Sequence, residues 1–249
     1  MVEPLFHLDL QSLPTVGQII ELTGAEAKHA ASVRRMREGE AIQFTNGKGL
    51  RIRAIVSTAA SNSLTAKVQS AVQENAPDLQ ITLVQALAKG DRDELAIQAA
   101  TELGVMQVVP WQAERSISRW IGLKEEKGRE RWQTIVNEAA KQSLRSFTPE
   151  VMQPITSANF DQLVDQFDLV LVLDPTSTTG INEIAFTEIT QVALVVGPEG
   201  GISEAELVGL EAARAVRVHL GESILRTSTA GVAAIAALNV LSGAWSRRG

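Results

Sequence analysis

Five near-continuous apolar runs constrain the fold more than any other feature of the chain: Ile81 to Leu87, Val105 to Pro110, Leu169 to Leu173, Val192 to Val196 and Val216 to Leu220. A strand that meets solvent on one face alternates polar and apolar side chains, so unbroken runs of this length belong to strands buried on both faces. Helical spacing fills the intervals. Ala96, Ala99, Ala100 and Leu103 fall at i, i+3, i+4 and i+7, and Trp132, Ile135, Val136, Ala139 and Ser143 repeat that spacing. Strands and helices in this alternation predict an α/β fold with a parallel sheet covered on both sides.

Before Leu79 the texture differs. Gly17 to Leu22, Ala41 to Phe44 and Leu50 to Val56 read as short alternating strands, and Asn46-Gly47 between the last two marks a hairpin turn. The alternation sends Arg51 and Arg53 to one face and Ile52 to the other. A short helix, Ala25 to Met36, interrupts the strands, and the whole predicts a small β-barrel or sandwich. Gln73 to Pro77 has few apolar residues and a proline, which places a boundary between domains 1–74 and 75–249.

Composition narrows the chemistry. The chain has no cysteine, and its histidines, His7, His29 and His219, never fall at ligand spacing, so thiol catalysis and a dedicated metal site are not expected. The longest apolar stretch, Ala230 to Leu241, is too short to span a bilayer, and the first residues lack the pattern of a signal peptide, so a soluble protein without a membrane partner is expected. A net charge of −6 argues against a nucleic-acid partner, but the acidic excess lies wholly after residue 75. Residues 1–75 carry Arg34, Arg35, Arg37, Arg51 and Arg53 in two tight groups, and arginine is the side chain that forks onto phosphate. A solvated charged face is the alternative.

Three loops at strand ends carry the ligand-grade chemistry. The first is Leu173-Asp174-Pro175. The second is Gly197-Pro198-Glu199-Gly200-Gly201-Ile202, followed by Ser203 and Glu206 at capping-box spacing. The third runs from Leu220 and Gly221 through Ile224, Leu225 and Arg226 to Thr227, Ser228 and Thr229, then into an Ala-rich helix reaching Trp245. Ligands of open α/β sheets bind at this end of the strands, and glycines there let a ligand approach bare backbone. The second loop matches neither GxGxxG nor GxxxxGK[ST], which removes the dinucleotide and P-loop readings. A tight strand-to-helix turn and a hydroxyl cap for the last helix are the structural alternatives. Arg226, between an apolar pair and a helix start, is suited to an anion or a polarised carbonyl. Lys89, Arg92, Arg115 and Arg145 would let a phosphate backbone cross the crevice mouth, with Glu138, Gln142 and Arg145 at i, i+4 and i+7 on one helical face. The small residues of the last helix would allow close packing in the core or across a dimer.

Four of these segments, Lys89 to Leu95 with Ala99 to Val105, Glu138 to Arg145, Leu194 to Ser203 and Leu220 to Ala230, resemble the RsmE family of ribosomal RNA uracil-N3 methyltransferases in the SPOUT superfamily. The resemblance runs nearly end to end. It implies an N-terminal PUA-like RNA-binding barrel, a C-terminal α/β domain with a deep trefoil knot, a homodimer, a cytoplasmic location and no metal. It implies S-adenosyl-L-methionine as cofactor, held by Leu173 to Pro175, Gly197 to Ile202 and Leu220 to Thr229, and a uridine of small-subunit (16S) ribosomal RNA, free or in the 30S subunit, as substrate. Arg226 is then the group expected to stabilise the uracil anion, with Glu199 as a nearby acidic group. Where the family pattern reads Leu-Arg-Thr-Glu-Thr-Ala, this chain has Ser228 in place of the Glu, so a mechanism with that carboxylate as base does not carry over. A catalytically inactive RNA-binding protein of the same fold, and a SPOUT enzyme acting on ribose or on transfer RNA, stand as alternatives.

Overall fold

The structure is a computed structural model that describes residues 3–246 and divides into two compact units. One takes in the chain up to Ala76 together with Ala140–Thr148, and the other takes in Pro77–Ala139 and the chain from Pro149 onward. The sequence reading places residues 140–148 in the second domain; in the structure they pack with the first unit.

In the first unit β1 (Leu5–His7), β2 (Ile19–Thr23), β3 (Ala41–Thr45), β4 (Leu50–Ala60) and β5 (Ser63–Gln73) form one sheet in the order β1-β3-β4-β5-β2. Only the β1–β3 pair is parallel. The alternation places Ile52, Ala54 and Val56 in a core with Ile42, Phe44 and Leu64, while Arg53 stands outside. At the β3–β4 turn the Asn46 side chain accepts hydrogen bonds from the Lys48 and Leu50 amides, and Gly47 supplies a φ of +74°. The expected helix from Ala25 to Met36 is shorter and mixed. It is α1 (Gly24–Lys28) continuing as a π-helix, His29–Val33, which keeps Ala27 and Ala30 both fully buried.

In the second unit β6 (Gln80–Ala86), α2 (Arg92–Glu102), β7 (Gln107–Gln112), α3 (Leu123–Gln142), β8 (Glu150–Val151), β9 (Ile155–Thr156), α4 (Phe160–Val164), β10 (Leu169–Leu173), β11 (Gln191–Val196), α5 (Glu204–Ala212), β12 (Val216–Val218) and α6 (Thr227–Leu241) follow in chain order. The last residues of α3 belong to the first unit. The seven strands form one parallel sheet in the order β12-β10-β11-β6-β7-β8, with β9 also on β7. Its apolar runs serve two cores. Leu83 and Leu194 point to the face that holds Ile97, Trp132 and Ile235, whereas Val84 and Val195 point to the face that holds Trp111, Phe160 and Leu210. Period-two geometry with both faces covered is why no polar residue alternates.

One helical expectation is corrected. α3 ends at Gln142, so Arg145 does not share a helical face with Glu138. Leu144 takes a left-handed φ of +56° and the Arg145 amide bonds back to the Ala140 carbonyl, a Schellman-type closure that stops the helix.

Leu194 is fully buried in central β11. Leu194→Ala should lower stability by about 2–5 kcal/mol through lost burial and the cavity left behind. A urea titration followed by circular dichroism measures it.

Candidate active site

The strand order reverses between β10 and β11, which leaves a crevice at their carboxyl ends. There the loops after β10, β11 and β12 enclose a cleft of about 600 Å³. Sixteen positions were expected to hold a cofactor, and all of them line this cleft except Gly200 and Thr229.

The loop after β11 is shaped by its glycines and tied at several points. A Cβ on Gly197 would fall 2.6 Å from Ile202 Cγ1, and Gly201 turns the chain with φ +74°. Ser203 caps α5: its Oγ accepts from the Glu206 amide at 3.3 Å, and Glu206 accepts from the Ser203 amide at 3.0 Å. Buried Glu206 also accepts from the Glu114 amide at 2.7 Å and from the Ser157 hydroxyl. Burial would raise its pKa, but these donors outweigh it and hold the carboxyl below its ordinary value.

Two arginines expected to meet phosphate are drawn into the same loop. Arg115 Nη1 donates to the carbonyls of Gly200 at 3.2 Å and Ile202 at 3.5 Å. Arg92 Nη1 pairs with Glu199 at 2.9 Å, and the Lys89 amide donates to the same carboxylate at 3.1 Å. Burial pushes the Glu199 carboxyl up, but the amides and Arg92 bring it net below its usual range. Both arginines line the cleft; the Lys89 and Arg145 side chains do not.

Asp174, at the end of β10, is buried and committed to neighbours. It accepts from Arg217 Nε at 2.7 Å, from the Thr176 amide at 3.0 Å and from the Thr176 hydroxyl at 2.9 Å. Burial opposes ionisation, yet these donors hold its pKa low. The loop after β12 starts at His219, whose Nδ1 accepts from the Gly221 amide at 3.0 Å, with Gly221 at φ +108°. Ile224 is 80% exposed at the rim, and exposed Arg226 stands at the N-terminus of α6 without capping it.

Thr227 does not cap α6 either. Its hydroxyl donates to the Gly197 carbonyl at 2.9 Å and accepts from Gln85 Nε2 at 3.0 Å. That chain links the end of β6, the loop after β11 and the start of α6. Sequence reasoning passed over Gln85, although a lone amide inside the run Ile81 to Leu87 was the available signal; its Oε1 is buried without a partner. Arg217 was missed as well, and Glu206 was read only as part of the cap of α5, because Asp174 for Arg217 and Glu114 and Ser157 for Glu206 lie far away in sequence.

In the first unit Arg34, Arg35 and Arg37 are exposed, Arg51 pairs with Glu74, and Arg53 pairs with Glu3.

Residues 74–239 match the model of an RNA methyltransferase domain and residues 22–69 that of an RNA methyltransferase PUA domain. The chain is 40% identical to the ribosomal RNA small subunit methyltransferase E of Mycobacterium bovis, over 98% of this chain and 94% of that protein. The chain belongs to that methyltransferase E family. The Bacillus subtilis member is 33% identical over 88% of each chain. The Neisseria gonorrhoeae member, solved bound to S-adenosyl methionine, superposes with a TM-score of 0.85 at 31% identity, covering 96% of this chain and 98% of that one. A Legionella pneumophila protein solved in complex with the same cofactor gives 0.85 at 28% identity, with the same coverage.

The carboxylates that hold the family's cleft in shape here titrate low. Asp174, Glu199 and Glu206 contribute stability above their unfolded values of 3.8 and 4.5, and that stability is lost as pH falls through the lower folded values. The thermal midpoint should therefore hold near neutrality and fall steeply once pH drops below 4.5. Glu206→Gln should lower the unfolding free energy by about 1.5–3 kcal/mol at neutral pH, the range for hydrogen bonds to charged groups, and flatten the acid fall of the midpoint. Calorimetric scans from neutral pH into acid read both effects.

Proposed function

We propose that this chain transfers the methyl group of S-adenosyl-L-methionine to N3 of a uridine in 16S ribosomal RNA. The observation that carries the reading is the cleft itself: three loops meet at one end of the parallel sheet, with exposed Arg226 at the rim, in a chain of the methyltransferase E family.

The residues present fit the cofactor. The cleft volume lies within the range of about 300–1,000 Å³ common to small-molecule sites. Leu173, Ile202, Leu220 and Leu225 give apolar walls suited to a purine, and the turns at Gly197 and Gly221 bring backbone polar groups to the same space. When bound, S-adenosyl-L-methionine supplies a methyl already activated by a sulfonium, so neither metal nor thiol is called for. The chain's part is to align the base and stabilise the anion left when its proton departs.

Uracil N3 loses its proton about two units above neutrality, so the anion needs about 3 kcal/mol of stabilisation at 1.36 kcal/mol per unit. Arg226, exposed at the cleft rim and at the positive end of α6, supplies it to a uracil oxygen. Glu199 fits poorly as the proton acceptor, because Arg92 and the Lys89 amide already hold its charge. It instead anchors the loop. The base leaves its stack to reach the cleft, as for other enzymes that modify a base.

The same reading takes the family's deep trefoil knot as the path of the chain through these loops, supported by β12 pairing beyond β10 after α5 has returned it. It takes a homodimer as the working form, supported by Val240, Leu241 and Trp245 exposed near the end of α6. A cytoplasmic location follows from a ribosomal substrate. The Ser228 substitution favours one rival, an RNA-binding protein without catalysis; titration calorimetry with S-adenosyl-L-methionine separates them, since that rival gives no heat.

Nucleosides of 16S RNA from a strain lacking the gene should lose N3-methyluridine, and the wild-type gene should restore it. Arg226→Ala should lower the methylation rate at neutral pH by about 10²-fold, the scale of removing one anion-stabilising donor, with cofactor affinity retained. An unchanged rate excludes this role for Arg226.

A further inference from the structure

A second cavity, of about 280 Å³, lies wholly within the first unit. Phe6 and Leu144 give it apolar walls, and His29, Arg34, Gln142 and Glu3, the last paired with Arg53, give it polar ones. Three observations mark it as built. Arg35 and Leu144 are two of the four non-glycine residues with positive φ among the described residues, at +54° and +56°; Leu144 lines the cavity and Arg35 follows the lining residue Arg34. His29, the first residue of the π-helix His29–Val33, lines one side, and such helices concentrate at functional sites, as does backbone strain. Arg51 and Arg53 are committed to the walls. Arg51 Nη2 donates to the Leu144 carbonyl at 3.0 Å, steadying the strained turn, and Arg53 Nε holds Glu3 at 3.0 Å with Gln43 Nε2 at 3.1 Å.

We propose that this pocket receives one unstacked nucleobase of the RNA substrate, with Arg34 meeting the adjoining phosphate. The inference rests on the reading that the chain acts on RNA. The volume falls just below the range of about 300–1,000 Å³ typical of drug-sized ligands, which suits one ring system rather than a whole nucleotide cofactor. The His29 ring, set edge-to-face against Phe6 at 5.8 Å, offers a surface for stacking, and the Gln142 amide, whose Oε1 accepts from Arg34 Nη2 at 3.4 Å, offers its NH2 group as a donor for reading the base. Single-stranded RNA is recognised in this way, by bases splayed out, stacked on rings and read along their edges. Exposed Arg34, Arg35 and Arg37 follow directly on the π-helix and place positive charge at the mouth, where the strand must continue. A small neutral metabolite would not need that charge.

The test uses the full chain with a 16S ribosomal RNA 3′ fragment transcribed with 4-thiouridine. Gln142→Trp fills the pocket from its rim and should raise the KM for this RNA at least about tenfold, the scale of one stacked base, while kcat stays within about twofold. Its melting temperature and S-adenosyl-L-methionine affinity should match the wild type, which excludes misfolding. Arg34→Ala should reduce the salt slope of RNA binding by about one. Photo-cross-links from the wild type should map to the peptides holding His29 to Arg34 or Lys141 to Leu144. A wild type that methylates RNA while Gln142→Trp keeps its KM, or cross-links confined to other peptides, overturns the pocket and leaves the enzyme reading standing. A wild type that cross-links at the pocket yet transfers no methyl group overturns the enzyme reading and upholds the pocket.

Discussion

Burial of the parallel sheet on both faces governs the rest of the second unit. Because β10, β11 and β6 are fully covered by helices, their polar backbone is satisfied only within the sheet, and the chain can open to a ligand only beyond the strand ends. The connection from β10 runs to β11 and that from β11 returns past β10 to β12, so the loops after these three neighbouring strands gather at one place around the cleft. The cleft is therefore a consequence of sheet topology, and its loops need only be held open in the right shape.

That shape is maintained by groups whose charge and hydrogen bonds are internal. Glu206 gathers donors from Ser203, Glu114 and Ser157; Asp174 gathers Arg217 and Thr176; Glu199 gathers Arg92 and the Lys89 amide. Each carboxylate is partly removed from water and stays ionised because several donors converge on it. Gln85 and Thr227 do the same with neutral groups, fixing the Gly197 carbonyl against the start of α6. Arginines that look like a nucleic-acid surface in a list of residues thus split into two kinds. Arg51, Arg53, Arg92 and Arg115 brace the protein, and Arg34, Arg35, Arg37 and Arg226 face solvent.

Much of the fold was legible before any coordinates. The apolar runs located β6, β7, β10, β11 and β12 to within a few residues, Asn46-Gly47 located the turn between β3 and β4, and Ser203 with Glu206 located the start of α5. These features succeed because they are local: a turn residue, a cap or a period acts over a few residues. The helix after Thr23 and the end of α3 were misjudged because a π-helix and a left-handed leucine leave no periodic trace.

The sequence by itself determined that the chain holds a buried parallel sheet, that three loops at strand ends carry glycines and polar groups, and that positive charge concentrates near the N-terminus, since composition and period record each of these directly. Only the tertiary structure decided what the polar residues do. Whether an arginine meets a ligand or a carboxylate depends on partners such as Glu199 for Arg92, 107 residues away, and Gln85 for Thr227, 142 residues away. Chain folding brings such pairs together, and no local pattern encodes the distance between them.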